Sequence, residues 1–419
     1  MAQLALFLQS FVQYMALKKI WFNLSITNLC LVALLGVLMR SKIIFNIPWI
    51  DYNRLVDTHG HFAFAGWVTL ALLLLFVYEL PGELYNKRIY QTLLGAIFVC
   101  SWATLFTSPF ERLKFISEYV SIGYIFVTYV FAWVFIKDIL KTKAHSIIKL
   151  LSVSSLLSLV LSSVGVLMLA YLFAVKSLNA MLYRDALFGY LHLQYNGFFT
   201  LAVFALVFNK VVPVTNEKAI SNIYRFAIML CLSVLPSICL TFLWHETNMW
   251  VRIIAIIGGG LLLFSFIEFI ISARLMAKEF HPVLPAIRYL VILSMSAFMI
   301  KIFLQSLTVI DFLNILVFGD RPMVMFFLHL VFLGFVTLFL IAYFAQKGIL
   351  DTQSIFTRFA LIVFAIAVVI NEALLALQGL GNMLIASSPL FSWYLWGAGL
   401  LLLLGTLLVA TSRIMSKQS

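Results

Sequence analysis

The sequence predicts an all-α membrane protein of twelve transmembrane helices, arranged as three four-helix units about a pseudo-threefold axis. Composition, span length and an internal repeat carry that reading. Of the 419 residues, 64% are apolar and only 11% are charged, with a mean hydropathy of +1.09. A soluble domain carries roughly 25% charged residues, and no water-soluble core absorbs this much Leu, Phe, Ile and Val. A soluble enzyme, a secreted disulfide scaffold and a disordered chain are excluded.

A helix needs about 20 apolar residues to cross the hydrocarbon. On that rule the spans fall near residues 21–40, 55–80, 89–108, 115–136, 147–173, 184–209, 220–244, 250–273, 286–306, 322–346, 355–378 and 389–412. Turn and charge signals such as Pro81-Gly82, Asn86-Lys87-Arg88 and His281-Pro282 separate them. No polar stretch is long enough for a soluble domain, so residues 1–419 read as one membrane domain. Met1 to Ile20 is apolar but ends in Lys18-Lys19 without a small-residue cleavage site, and reads as an interfacial helix leading into the first span.

The formal net charge of +12 is a topological signal rather than a nucleic-acid footprint. Most Lys and Arg, including Lys18-Lys19, Lys87-Arg88, Lys137, Lys210, Arg274, Lys347 and Arg413, fall on one face. The positive-inside rule then puts both termini in the cytoplasm, with a bacterial inner membrane as the expected location and the lipid bilayer as the first partner. Cys30, Cys100, Cys231 and Cys239 all lie in apolar stretches without metal-type spacing and read as small buried hydrophobes.

One ten-residue pattern organises the chain. Residues 61–70 read HFAFAGWVTL, residues 192–201 HLQYNGFFTL and residues 329–338 HLVFLGFVTL. The shared form is H-x4-G-aromatic-(V/F)-T-L, on spans 2, 6 and 10, four spans apart each time. Such self-similarity marks repeated units, here roughly 21–136, 147–273 and 286–412. Three of the seven histidines occupy the pattern. The glycine five residues on thins each helix beside its histidine, so that a neighbouring helix or a flat ring can approach.

Intramembrane histidines are expensive and point to function. One reading is a hydrogen bond to a neighbouring helix, tying the repeats together. The other is ligation of a metal or haem, since neutral imidazole is the commonest metal ligand. The phenylalanine-rich flanks, Phe62, Phe64, Phe326, Phe327 and Phe332, suit the apolar walls of a macrocycle.

Twelve helices, cytoplasmic termini and histidines on spans 2, 6 and 10 resemble the catalytic subunit of haem-copper oxidases, nearest the nitric oxide reductase branch. His192-Leu193-Gln194-Tyr195-Asn196-Gly197 is similar to that family's H-L-x-x-E-G on helix 6. Trp244-His245-Glu246 stands at the place of its helix 7 histidines, and Ser265-Phe266-Ile267-Glu268 matches S-x-x-E on helix 8. The resemblance implies a low-spin haem b ligated by His61 and His329. It also implies a second metal, copper or non-haem iron, on His192 with His245 as a companion.

The departures are specific. Position 327 is Phe327 where the family has a second helix 10 histidine, the helix 7 histidine pair is reduced to His245, and the helix 6 glutamate is Asn196. Thr200 replaces a further carboxylate, and Tyr195 follows His192 by three residues rather than four. A degenerate or modified second site is the expectation. His59 and His61 are about 200° apart on a helix and cannot face one site unless the helix starts between them, which Gly60 would allow. The repeat singles out His61, leaving His59 as a surface or propionate-side group. His145 and His281 read as solvated loop residues.

Charges within spans are a second clue. Glu118, Glu268, Lys301 and Glu372 lie in or at the ends of spans, where such groups pair or line wet paths. Glu268, Lys301 and Glu372 are candidates for a proton route, with structural ion pairs the alternative. Arg54, Asp57 and Arg321, near the outer ends of spans 2 and 10, are candidates for the propionate end of a haem. The expected function is electron transfer, gas sensing or a divergent respiratory oxidoreductase, with quinol or an outer cytochrome c as donor and partner subunits alongside. No C-x-x-C-H attachment motif is present. A transporter or channel, or a scaffold subunit without cofactors, are the alternatives.

Overall fold

The computed structural model describes residues 2–49, 51–82, 84, 87–276, 284–384 and 388–415; His281 lies outside the described residues. Among the described residues, eleven helices are long and apolar enough to cross a membrane, and a bent pair makes up to twelve. We label them α1 (Ala2–Ile44), α2 (Tyr52–Glu79), α3 (Arg88–Thr107), α4 (Glu111–Lys141), α5 (Ser146–Ala174), α6 (Ala180–Val214), α7 (Glu217–Ser233 continued by Pro236–Phe242), α8 (Met249–Met276), α9 (Pro285–Leu307), α10 (Arg321–Gln346), α11 (Ile355–Met383) and α12 (Leu390–Met415). The described residues form no strand. A bilayer enforces this, because a spanning segment must satisfy every backbone group internally. The structure is thus an all-helical, multi-pass membrane fold.

Two elements differ from the sequence reading. The expected interfacial segment is not separate, because α1 runs unbroken from Ala2 to Ile44. The seventh span is broken, with the two parts of α7 meeting at 47°. Pro236 opens the second part and has no N–H for the helical ladder. Gly258 of α8 lies under the break: a Cβ there would stand 2.4 Å from the Ser237 nitrogen. Only glycine lets the two backbones touch at that point.

The repeat-bearing helices form the interior. In α2 and α6, 72% of the most apolar window is buried, and in α10 61%, against 22–44% in the other continuous spans. Packing rather than hydrophobicity holds helices together in lipid, and here phenylalanines do much of it. Phe64 of α2, Phe199 of α6 and Phe332 of α10 meet with centroid separations of 4.3 to 5.8 Å. A second group joins Phe204, Phe226, Phe269, Phe298 and Phe335 from α6 to α10. Such pairs contribute about 0.5–1.5 kcal/mol each beyond their burial.

Candidate functional site

Each repeat begins where an α-helix becomes a π-helix. The wide turns run over Phe62–Thr69, Leu193–Phe199 and Leu330–Thr337, directly after His61, His192 and His329. π-turns are rare and concentrate at functional sites. Widening loosens the i→i−4 ladder, and in each repeat a side chain caps a carbonyl: Asn28 Nδ2 donates to Gly66 O at 2.6 Å, Thr200 Oγ1 to Tyr195 O at 2.5 Å and Ser294 Oγ to Phe335 O at 2.7 Å. The repeat glycines admit close neighbours: a Cβ on Gly66 would fall 2.7 Å from the Phe62 ring. A Cβ on Gly197 would fall 2.3 Å from Ser158 Cβ of α5, and one on Gly334 3.3 Å from Ala297 Cβ of α9.

At the end of the bundle away from the termini, α1, α2, α10 and α11 bring together a group of titratable side chains. Asp51 caps α2 by accepting from the Arg54 N–H, which sets the helix phase for His59 and His61. His59 turns toward α1, its ring 3.5 Å from where a Gly36 Cβ would stand. His59 and His329 are electrostatic neighbours, and both neighbour Arg40 of α1. Arg40 in turn neighbours Tyr52 and Glu372 of α11. His61, two residues on, is exposed and has Asp57 as its charged neighbour.

The protonation of His329 follows from its partner. Its Nδ1 lies 2.8 Å from Met325 O, and a carbonyl can only accept, so Nδ1 carries the proton and Nε2 keeps its lone pair. A ligating histidine is held the same way in metal sites. His59 Nδ1 is buried without a hydrogen-bond partner. One imidazole is therefore set up to donate a lone pair, and the other has a buried ring nitrogen to satisfy.

His192 differs. It is fully buried, and both ring nitrogens are engaged. Nε2 donates to Val234 O at 2.9 Å, and Asn196 Nδ2 donates to Nδ1 at 3.0 Å. Asn196 Oδ1 accepts from Lys301 Nζ, which also lies 5.5 Å from the Tyr195 ring centroid. Lys301 is 1% exposed. The line Lys301, Asn196, His192, Val234 is a closed donor-to-acceptor chain, with its ammonium end deep in the bundle.

The other sequence candidates lie apart. His245 Nε2 donates to Asp185 Oδ2 at 2.9 Å and its Nδ1 stands 2.9 Å from Glu246 O. Partial burial opposes the charge on His245, but the Asp185 carboxylate and the Glu246 carbonyl outweigh it and raise its pKa. Arg54 pairs with Glu111, and Arg321 stacks over Tyr52 at 5.9 Å. Glu268 pairs with Arg225 at 3.4 Å and exposed Glu118 with Lys114 at 3.9 Å. Glu372 Oε1 accepts from Asn371 at 3.1 Å while Oε2 is buried without a partner. Glu268, Lys301 and Glu372 thus have separate surroundings and share no hydrogen bond. Sequence reasoning missed Arg40 altogether; its position near the end of an apolar span reads as an interface anchor. Among the described residues, no three His, Cys, Asp or Glu side chains cluster as a metal site.

The class is a polytopic helical membrane protein with a histidine-bearing inner ring and a haem-copper oxidase-like fold. A chain in the cryo-electron microscopy structure of a heme-copper terminal oxidase dimer superposes on it with a TM-score of 0.69 and 14% identity, covering 96% of this chain and 84% of that one. At that identity the likeness is one of fold. No protein-family model matches the sequence, and no curated protein does.

Proposed function

We propose that this chain binds a single haem b between α2 and α10, which His59 and His329 would hold, and works in membrane electron transfer. The observation that carries the reading is the electrostatic proximity of those two imidazoles, His329 with a free Nε2 lone pair and His59 with an orphaned buried Nδ1. His59 takes the place of His61 in this proposal because His329 is among the electrostatic neighbours of His59 and not among those of His61; His61 is the alternative ligand. A bound haem supplies one-electron redox chemistry. The chain's own residues fix the ligand tautomer through Met325 O and place the Arg40 cation beside both imidazoles. Arg321 stands at the start of α10, over the Tyr52 ring, where it would neutralise a haem propionate. Arg54 is held by Glu111 and is assigned no contact. A quinol or a cytochrome c is the donor class in this reading.

The residues around His192 do not fit a second metal. Both ring nitrogens are committed, and the Lys301 ammonium would face a cation of like charge. His245 is tied to Asp185, and Phe327 is packed against Tyr195 at 6.0 Å. Copper or non-haem iron is therefore no part of the proposal.

A reduced-minus-oxidised spectrum of the purified chain tests the reading. A b-type Soret and alpha band is expected, lost in His59→Ala and in His329→Ala and kept in His61→Ala. Loss in His61→Ala with retention in His59→Ala returns the ligand to His61. A colourless protein overturns the haem reading and favours the scaffold or transporter.

A further inference from the structure

At the end of the bundle that carries the termini, α1, α2, α6 and α10 converge on one carboxylate. Glu79, the last residue of α2, keeps only 4% of its side chain exposed. Lys18 reaches Oε1 at 3.0 Å, Lys210 reaches Oε2 at 3.7 Å, and Lys347 bonds the same Oε2. Asn209 Nδ2 donates to the Glu79 carbonyl at 2.9 Å and fixes the helix end. Three ammonium groups thus surround one carboxylate, and Lys210 and Lys347 share a single oxygen of it. The Lys210 and Lys347 amines are within hydrogen-bonding reach of each other, an arrangement that one shared carboxylate oxygen only partly offsets.

A second observation points to an absent anionic group. Tyr343, one turn before Lys347, is 3% exposed and its hydroxyl is buried with no partner. Lys347 Nζ lies 5.9 Å from its ring centroid, and Glu79 is its charged neighbour. Buried hydroxyls are normally satisfied. The three lysine side chains remain 20–31% exposed, so water-borne ions reach them.

We propose that this lysine cluster binds a phosphate-type oxyanion, held by the Lys18, Lys210 and Lys347 ammonium groups with the Tyr343 hydroxyl as a neutral donor. An oxyanion would supply the second acceptor that Lys210 and Lys347, sharing one Glu79 oxygen, compete for, and lysine is a common point-charge partner of phosphate. Free phosphate and the headgroup of an anionic phospholipid offer the same chemistry. The proposal is independent of the haem reading, and its test uses no haem signal.

The experiment is calorimetric titration of the purified full chain with inorganic phosphate, with chloride at matched ionic strength as control. It is run beside phosphorus NMR of lipid retained after purification from membranes containing phosphatidylglycerol. Saturable binding near one phosphate per chain is expected, weakened at least tenfold in Lys210→Gln and Lys347→Gln. A several-fold loss is expected in Tyr343→Phe, which removes a hydroxyl that holds nothing else and leaves the ion pairs intact. Lys218→Gln, on an exposed lysine of α7, should change nothing. Retained phospholipid displaced in the same variants, without phosphate binding, identifies the headgroup as the source. Absence of both signals in folded protein, or equal signals in wild type and Tyr343→Phe, overturns the proposal.

Discussion

The Trp67 indole N–H donates to Thr337 Oγ1 at 2.9 Å, joining the aromatic position of the first repeat to the threonine of the third. Both side chains are buried, each 2% exposed. Thr337→Val would leave a buried donor unpaired, which costs about 1–3 kcal/mol. Trp67→Phe removes the donor together with some packing. Denaturant titration of both variants and their combination should show coupling, with the double variant less destabilised than the sum of the singles. Additive losses would mean that the bond contributes nothing to joining α2 and α10.

The glycines predict opposite outcomes at two positions. Nothing lies within 4 Å of a Cβ on Gly60, and a helical Gly→Ala there should stabilise by about 0.5–1 kcal/mol. Gly197→Ala meets Ser158 Cβ and should cost about 1–3 kcal/mol through overpacking between α5 and α6. Apparent Tm in detergent distinguishes them: a rise for the first and a fall for the second.

Committed nitrogens on His192 predict its behaviour toward metals. Copper or zinc added to the purified chain should bind without dependence on His192, so His192→Ala should leave metal content unchanged by elemental analysis. Lys301→Ala opens the space and removes the like charge. That variant should gain any metal site this region can make. Metal bound in wild type and lost in His192→Ala would restore the dinuclear reading.

His245 gives a pH signature. The Asp185 and Glu246 partners raise its folded pKa, above the ordinary value near 6.5. Its stabilisation is therefore fully present below about pH 6.5 and is lost as pH rises through the folded value. Apparent Tm should fall modestly between pH 6 and pH 8.5. His245→Gln should flatten that slope, and an unchanged slope would show that the pair does not report on folding.

The helical class and its spans were legible because hydrocarbon imposes length and apolarity on every crossing segment. The repeat was legible as well, and it marks three of the four places among the described residues where α-helix widens to π, the fourth being Ile315–Gly319. That widening itself left no sequence trace, since it depends on carbonyl caps from Asn28 and Ser294 on other helices. The surroundings of His59 were not legible either, since it stands two residues from His61 and only the packing of α2 against α1 sets its ring beside Gly36. Asn196 read as a missing glutamate, whereas in the fold it links Lys301 to His192, a contact between residues 105 positions apart.

The wide turns have a consequence for how such a bundle tolerates change. Each carries the equivalent of one extra residue, so an inner helix keeps two phases, one above the turn and one below. Deleting a single residue inside a turn would restore a plain α-helix and swing everything on one side by about 100°. The histidine end and the lysine end of α2, α6 and α10 can therefore be rotated relative to each other by indels rather than substitutions, a route for divergence that point mutation does not offer.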